Sequence, residues 1–398
     1  MKTNSFEGSL LTTAEQEEPP SSAGKIFGAD NMISCKGQHP FCSAVPEWKK
    51  ILKKSAENFL TILRNFNIPQ EEVAAICARY PARVNSYYLS LIKEKDDPIY
   101  KQCIPNSAEI LDLHGEEDPL YEEPAKQTRK GVPLLVTHRY PDRILLRISN
   151  QCAMYCRFCT RKRTVGDPIK QPTWLQISRS IEYIKKHEEI RDVILSGGDP
   201  LMLDDEILEK IIAAVYAVIS QRKNGIIRIG TRMPCTLPQR ITSELCAMLK
   251  KYHPLFINTH FNHPNEITSE SRRACGLLVD AGIPVGCQTV LLKGVNDKPE
   301  VMKELMLGLL SMRVKPYYIY QADPVKGANH FRAKVQKGLD IYRALRGHIS
   351  GLAVPAFVID APGGGGKIPI LPEYLVHIDE KTVVIKNYEG KIFTYNQP

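Results

Sequence analysis

The chain has 398 residues, of which 43% are hydrophobic and 24% are charged, so it can bury a full domain core plus a smaller appended region. No apolar run reaches the roughly 20 residues of a transmembrane helix, and the N-terminus has too short an apolar stretch for a secretory signal, which predicts a cytoplasmic protein without a membrane partner. Eleven cysteines then indicate reduced thiols or metal ligands rather than a disulfide framework. The formal net charge of +9 is more typical of a solvated surface than of a nucleic-acid partner.

The first part of the chain divides into a tail and a helical region. Residues 1–44 are rich in Ser, Glu, Gly and Pro and lack periodicity, which predicts a disordered tail. Cys35 and Cys42 lie in it without a further Cys or His at ligand spacing, which argues against a metal site there. From Trp48 onward apolar residues recur at helical spacing, and residues 45–125 are predicted to form a helical N-terminal region.

After this region, short β-branched runs alternate with helical segments such as "DDEILEKIIAAVYAVIS" and "KPEVMKELMLGLLSMR". The alternation predicts right-handed crossovers and a parallel sheet. The predicted fold class is therefore α/β, a partial (β/α)6-type parallel barrel over residues 126–362, followed at 363–398 by a glycine-rich lysine loop and a short C-terminal β-hairpin. The predicted strands are 143–149, 192–196, 226–230, 255–260, 284–292, 316–321 and 356–360.

Polar or ligating residues follow each predicted strand, at the edge where a parallel barrel assembles its active site. In chain order they are Cys152, Cys156 and Cys159, then Ser196 to Asp199, Thr231 and Arg232, His260, Gln288, Asp323 and Asp360.

The stretch "QCAMYCRFCTRKR" spaces Cys152, Cys156 and Cys159 as C-x3-C-x2-C. This spacing fits a 4Fe-4S cluster held through three irons, which leaves the fourth iron open to a small molecule. Zinc is one alternative, but a structural zinc site usually takes four protein ligands, and no fourth Cys or His lies at ligand spacing nearby. Chance clustering of reduced thiols is the other. Phe158, directly before the third cysteine, is expected to shield a cluster from water.

The stretch "DAPGGGGKIPI" is not a phosphate loop, because Ala361 and Ile368 stand where that motif needs Gly and Ser or Thr. Its four glycines would let the backbone lie against a flat ring while the amine of Lys367 forms a Schiff base with pyridoxal phosphate. A surface glycine loop with a solvated lysine is the alternative from this loop alone.

The cysteine motif, with an aromatic residue before its last cysteine, resembles the signature of radical S-adenosylmethionine enzymes. The resemblance implies a 4Fe-4S cluster whose open iron binds S-adenosylmethionine and cleaves it reductively to a radical. "SGGDP", with Gly197, Gly198 and Asp199, is similar to the glycine-rich segment that lies along the methionine part of the cofactor in that family.

Six segments in order, over approximately residues 45 to 396, resemble the lysine 2,3-aminomutase family of pyridoxal-phosphate-dependent radical enzymes: "THRYPDR", "CAMYCRFCTRKR", "HFNHPNEIT", "LLKGVND", "PYYIYQADPVKG" and "DAPGGGGKIPI". Lys162 and Arg163 are expected to be surface or helix-capping charges. The resemblance implies that Lys367 binds pyridoxal phosphate and that the phosphate of this cofactor lies near Arg139, Tyr140 and Arg143. It also implies that S-adenosylmethionine contacts His260 and Gln288. For the substrate, it implies that the carboxylate pairs with Arg161 and that the far end of the side chain binds Asp323 and Asp360.

The implied reaction moves the α-amino group of a basic amino acid to its β-carbon. Two carboxylates at Asp323 and Asp360 suit a substrate with a cationic side chain, so L-lysine is the first choice of substrate and arginine the second. A lysine 2,3-aminomutase that serves elongation factor P modification is a further alternative. The expected partners are this small molecule, an electron donor such as flavodoxin or ferredoxin, and a second copy of the chain. An RNA-modifying radical enzyme and a non-catalytic iron-sulfur scaffold are rivals that need no pyridoxal phosphate.

Overall fold

The computed structural model describes residues 45–398, so the tail predicted at 1–44, with Cys35 and Cys42, lies outside the described residues. Its main feature is a nine-stranded sheet in which the strands are neighbours in sequence order. These strands are β1 (Val136–Tyr140), β2 (Arg143–Ser149), β3 (Asp192–Gly197), β4 (Ile226–Gly230), β5 (Leu255–Thr259), β6 (Val285–Leu291), β7 (Lys315–Gln321), β8 (Ala356–Ala361) and β9 (Gly366–Pro369).

Helices precede the sheet, as the apolar spacing predicts. The Asn85 and Asp97 side chains cap two of them by accepting hydrogen bonds from backbone N–H groups of the first turn. Pro98 begins one of these helices, where its missing N–H removes no helical hydrogen bond. The helices are α1 (Glu47–Lys53), α2 (Ser55–Asn65), α3 (Gln70–Arg79), α4 (Ser86–Leu89) and α5 (Pro98–Cys103).

The strands from β2 to β8 are parallel, and every crossover between them carries at least one helix. This confirms the predicted α/β partial barrel. β2 and β4 have the predicted bounds, and the other five predicted strands differ by one residue at one or both ends. The crossover helices are α6 (Trp174–Lys186), α7 (Asp205–Ile219), α8 (Met233–Thr236), α9 (Ser243–Lys250), α10 (Ser269–Asp280), α11 (Pro299–Ser311) and α12 (Val335–Leu345).

The crossover helices pack on the sheet through one apolar face, which α7 illustrates. Leu208, Ile211, Ile212, Val215 and Ile219 recur at the three- and four-residue spacing of a helix, and all five are buried. Burying each such side chain contributes about 1.5–3 kcal/mol. None of the helices in the described part of the chain is long and apolar enough to cross a membrane.

Two strands at the ends of the sheet were not predicted. β1 pairs antiparallel with β2, and β9 pairs antiparallel with β8. Lys367 therefore lies in the barrel sheet, beyond the predicted boundary at residue 362, rather than in a loop. The C-terminal sheet contains the predicted hairpin, β11 (Thr382–Lys386) and β12 (Ile392–Asn396), and a third strand, β10 (Leu375–Ile378).

Candidate active site

A cavity of about 500 Å³ lies among the inward-facing side chains of the barrel strands and the residues that follow them. It brings together most of the predicted site residues from distant parts of the chain. Cys152, Gly197, Gly198 and Asp199 do not line it. Those that do are Arg139, Tyr140, Arg143, Cys156, Cys159, Arg161, His260, Gln288, Asp323, Asp360 and Lys367.

The cysteine loop, residues 152–159, follows β2 and is held by the helical N-terminal region. The Tyr155 N–H donates to the Arg83 carbonyl at 2.8 Å, and the Arg157 N–H donates to the Gln102 carbonyl at 2.9 Å. These main-chain bonds fix a segment that has no regular structure of its own. The three thiols therefore take their positions from the surrounding fold.

Two cationic side chains, Arg157 in this loop and Lys162 just after it, are buried rather than exposed. Arg157 donates to both carboxylate oxygens of Glu109, at 2.9 and 2.5 Å, and Lys162 Nζ lies 2.7 Å from the same carboxylate. The Lys162 ammonium also donates to the Gly327 carbonyl at 2.7 Å. Burial lowers the pKa of Lys162 to about 8, against the opposing effect of Glu109. The expectation of a surface charge at Lys162 is wrong, because the sequence does not reveal the buried Glu109.

The sulfur atoms lie in an environment that disfavours isolated thiolates. Burial, and then the charge of Asp199, raises the pKa of Cys152; burial, and then Cys156, raises that of Cys159. Iron would supply the positive charge that keeps such thiols deprotonated. No three His, Cys, Asp or Glu side chains within residues 45–398 have the arrangement of a single-ion site. A cluster fits this set, because each thiolate then binds a different iron.

Phe158 lies where the sequence predicts a shield beside the cysteines. It is buried, lines the cavity, and packs edge-on against the rings of His260 and Phe331, with centroid distances of 5.7 and 6.0 Å. His260 Nε2 is 2.9 Å from Asn262 Oδ1. Burial, and then the Arg232 charge, lowers the pKa of His260 to about 3, so its imidazole is neutral at neutral pH.

The "SGGDP" segment packs against the end of β2, directly before the cysteine loop. Gly197 has φ 138°, and a Cβ there would lie 2.0 Å from the Ser149 carbonyl oxygen, so only glycine permits this approach. The Asp199 carboxylate accepts from the Thr231 hydroxyl at 2.7 Å and from the Arg232 N–H at 2.8 Å. These contacts join β3 to the end of β4, and a direct cofactor contact of Gly197, Gly198 or Asp199 stays a prediction.

At the other side of the cavity, Lys367 faces Asp360 on the neighbouring strand. Its Nζ is 3.4 Å from Asp360 Oδ2, and its backbone N–H donates to the Tyr140 hydroxyl at 2.9 Å. The other oxygen of Asp360 accepts from Arg139 Nη1 at 2.6 Å. Arg139, predicted near a phosphate, is thus paired with a residue predicted to bind the substrate.

The glycine run before Lys367 does not line the cavity. Instead, Gly363, Gly364 and Gly366 have φ of 73°, 81° and 88°, which side-chain-bearing residues rarely adopt. A Cβ on Gly366 would also lie 3.0 Å from the Tyr140 hydroxyl oxygen. The structure therefore supports a turn-forming role for these glycines, and the expected contact with a flat ring stays a prediction.

Asp323 is half-buried and lines the cavity near Asp360. Burial, and then the negative charges of Asp360 and Glu122, raise the pKa of Asp323 to about 7, against the opposing effect of Lys367 and Arg139. Two carboxyl groups in one cavity oppose each other's ionisation unless a cation lies between them. Part of the negative charge here is thus available to a ligand.

Arg161 is held by Glu122, a residue that the sequence did not identify as part of the site. Its Nε and Nη2 donate to the two oxygens of Glu122 at 2.7 and 2.6 Å, and its Nη1 donates to the Gly197 carbonyl at 3.1 Å. Burial alone would raise the pKa of Glu122, but Arg161 holds it at about 2. Glu122 lies in an irregular loop without periodicity, so no sequence pattern could have identified it.

Comparison with known proteins identifies the family to which the chain belongs. A family model described as "Radical SAM superfamily" matches residues 146–306, and one described as "Lysine-2,3-aminomutase" matches residues 342–398. The L-lysine 2,3-aminomutase of Clostridium subterminale is 51% identical over 333 residues, which cover 83% of this chain and 78% of that protein. The chain belongs to the lysine 2,3-aminomutase family. It is an isomerase-family member with a radical S-adenosylmethionine domain, and that domain implies a 4Fe-4S cluster and S-adenosylmethionine.

Two other members of the family are named for different amino acids. The L-lysine 2,3-aminomutase of Methanococcus maripaludis is 50% identical over 347 residues, covering 86% of this chain and 78% of that protein. The glutamate 2,3-aminomutase of Clostridioides difficile is 45% identical over 325 residues, covering 81% of this chain and 75% of that protein. Membership in the family is compatible with either amino acid, so the substrate has to be argued from the cavity.

Proposed function

We propose that this protein is a pyridoxal-phosphate-dependent 2,3-aminomutase that converts L-lysine to its β-amino isomer. The observation that carries the choice of lysine is the pair of carboxyl groups, Asp323 and Asp360, in the same cavity as Lys367. The relatives named for lysine support the same choice.

The cysteine side of the cavity fits the iron-sulfur cluster and its cofactor. Cys152, Cys156 and Cys159 would bind three irons, and His260 and Gln288 line the cavity where S-adenosylmethionine would lie. When bound, S-adenosylmethionine supplies a hydrogen-abstracting radical, and pyridoxal phosphate supplies the π-system through which nitrogen migrates. The buried Phe158 helps to exclude water from this side, which protects a reactive radical.

The side with Lys367 fits pyridoxal phosphate. The Lys367 amine lies 5.9 Å from the Tyr140 ring centroid and 5.8 Å from that of Tyr320, so aromatic surface is available beside it. Arg143 stacks on the Tyr140 ring at 4.8 Å. Arg139 is already paired with Asp360. Arg143 donates through its Nε to Asp142 at 3.1 Å, and its terminal N–H groups would be offered to a phosphate dianion.

The substrate would be held at both ends. Three of the five N–H donors of Arg161 are used by Glu122 and Gly197, so two remain for the substrate carboxylate. At the far end, the lysine ammonium would lie beside Asp323 and Asp360 and offset their repulsion. A glutamate side chain would bring a third carboxylate to this place. Arginine is the second candidate, because its forked donors can engage both carboxylates.

A comparison of three amino acids tests the proposal. The reconstituted, chemically reduced enzyme is incubated with S-adenosylmethionine, pyridoxal phosphate and lysine, arginine or glutamate, and the β-isomers are measured by mass spectrometry. We expect the lysine isomer to dominate. Conversion of glutamate, with neither lysine nor arginine converted, would contradict the assignment of Asp323 and Asp360.

The setting of the reaction is also proposed. We infer a reducing cytoplasm, which is supported by the six cysteines outside the motif within residues 45–398, all of which are free thiols. The one-electron reduction of the cluster would use a small carrier such as flavodoxin or ferredoxin. A homo-oligomer, and the division into regions 45–125, 126–362 and 363–398, stay predictions.

A further inference from the structure

Arg232, which follows β4, places a buried guanidinium against one of the three motif cysteines. Its Nη1 donates to Cys156 Sγ at 2.8 Å. Only 9% of the Arg232 side chain is exposed, so water does not compete for this contact. Neither the family resemblance nor the predicted site assigned it a function.

Several neighbours prevent the Arg232 guanidinium from turning away from the sulfur. Its Nη2 donates to Gln102 Oε1 at 2.7 Å and to Glu266 Oε1 at 2.8 Å. Glu266 is itself fully buried and accepts from the Tyr88 hydroxyl at 2.6 Å. The orientation of the Arg232 donor is therefore built into the protein before any cluster binds.

The surroundings of Arg232 strengthen its electrostatic effect on the sulfur. The guanidinium carbon lies 5.3 Å from the Phe158 ring centroid and 5.8 Å from that of Tyr88, so apolar rings cover it. A charge acts more strongly in such an environment than in water. Hydrogen bonds to the sulfurs are among the factors that set the reduction potential of an iron-sulfur cluster.

We propose that Arg232 is a positioning residue that raises the reduction potential of the cluster through its hydrogen bond to Cys156. Reduction adds one electron, and a positive donor on a ligand sulfur stabilises the more negative, reduced form. The inference rests on the proposed cluster site and concerns how easily that cluster accepts its electron from an external reductant.

The test compares Arg232→Gln with the parent protein, both reconstituted with iron and sulfide in the absence of other cofactors. Each is titrated with dithionite, and the reduced cluster is followed by electron paramagnetic resonance. We expect the ratio of reduced to oxidised cluster at a fixed potential to fall at least tenfold in Arg232→Gln, which for one electron is about 59 mV. Arg232→Lys keeps the positive charge and should shift less.

Arg240→Gln is the matched control. Arg240 is also a buried guanidinium after β4, but its Nε donates to the Leu201 carbonyl and its Nη2 to Asp205. Its replacement should disturb packing to a similar extent without moving the potential. An equal shift in Arg240→Gln would show that general destabilisation is the cause and would overturn the proposal.

A second variant keeps the test decisive if Arg232→Gln misfolds and loses its cluster. Arg232→Gln leaves Glu266 buried without its cation, so the double variant Arg232→Gln/Glu266→Gln is titrated alongside it. An unchanged potential in any iron-containing Arg232→Gln variant would overturn the inference. Absence of iron from the reconstituted parent protein would instead contradict the proposed cluster site.

Discussion

The cavity has two ends that treat charge differently. At the cysteine end, the side beside Cys156 and Cys159, Glu109 and Glu266 are buried and bind cations of the protein itself at distances of 2.5 to 2.8 Å. At the lysine end, the side beside Lys367, Asp323 keeps a pKa raised to about 7 by burial and by its carboxylate neighbours. The buried carboxylates at the cysteine end are therefore paired within the protein, while at the lysine end Asp323 leaves negative charge for a ligand to balance.

This difference follows from the tasks proposed for the two ends. A cluster must be assembled once and kept in place, so its surroundings are best fixed by the fold. A substrate must enter and leave on every turnover, so part of its binding energy has to come from charge that the free protein leaves unsatisfied. If the two ends work independently, a substitution at one end should leave the ligand of the other end bound.

The largest effect is expected at the cysteine end. Replacing Cys152, Cys156 or Cys159 by Ala should remove the cluster and reduce activity to background, because each of the three protein-bound irons would have only one protein thiolate. Iron and sulfide analysis after anaerobic reconstitution measures this. Cys246→Ala, at a buried thiol on α9, is the control and should keep its iron. Full iron content in the triple cysteine variant would disprove the cluster assignment.

Lys367→Ala should abolish turnover while leaving the cluster intact, because the two cofactors have separate anchors. The measurement is the visible absorbance of bound pyridoxal phosphate, together with iron content. Lys386→Ala, in β11, should behave like the parent protein. If Lys367→Ala kept the lysine-linked absorbance, the anchor would have to be another residue.

Glu109→Gln should lower the free energy of unfolding by about 3–5 kcal/mol, because Arg157 and Lys162 would lose their buried carboxylate. Urea unfolding of the cofactor-free protein measures this. Glu209→Gln breaks a partly exposed pair with Lys251 and should cost less than about 1 kcal/mol. Similar costs for the two variants would remove the distinction drawn for the cysteine end.

The smallest effect concerns the pH dependence of the lysine end. Asp323 is ionised only above its pKa of about 7, whereas the ammonium of free lysine stays charged far above that pH. The kcat/KM for lysine should therefore fall roughly tenfold between pH 8 and pH 6, and Asp323→Asn should lose that step along with affinity. Asp340→Asn, in α12, should retain it. An identical pH profile in Asp323→Asn would assign the titration to another group.

The sequence allowed the barrel to be predicted closely, because the seven parallel strands are short runs rich in β-branched, aliphatic or aromatic residues that alternate with helical segments. β9 was missed for a local reason, since it begins at the last of four consecutive glycines and its four residues show no strand periodicity. The residues at strand ends were found because a parallel sheet collects them at one edge. Arg232 was among these, but nothing in the spacing showed that it would contact Cys156.

The carboxylates that organise the site were not predictable. Glu109 ends a short 3-10 helix and Glu122 lies in an irregular loop, both before β1, and their partners are about 40 or more residues away in the chain. Burial and pairing of such groups depend on tertiary contacts, which neither periodicity nor composition encodes. Lys162 was misjudged for the same reason.

The pairing of β9 with β8 makes the direction of Lys367 a matter of strand register. Lys367 stands directly opposite Asp360 in this antiparallel pair, and successive strand residues point to opposite faces. A shift of one residue would turn the amine away from the cavity and bring Ile368 or Gly366 to its place, with no change in the chemical groups present. Insertion or deletion of a single residue in the glycine run is therefore far less tolerable than its low complexity suggests, and the length of that run is as constrained as the identity of the lysine.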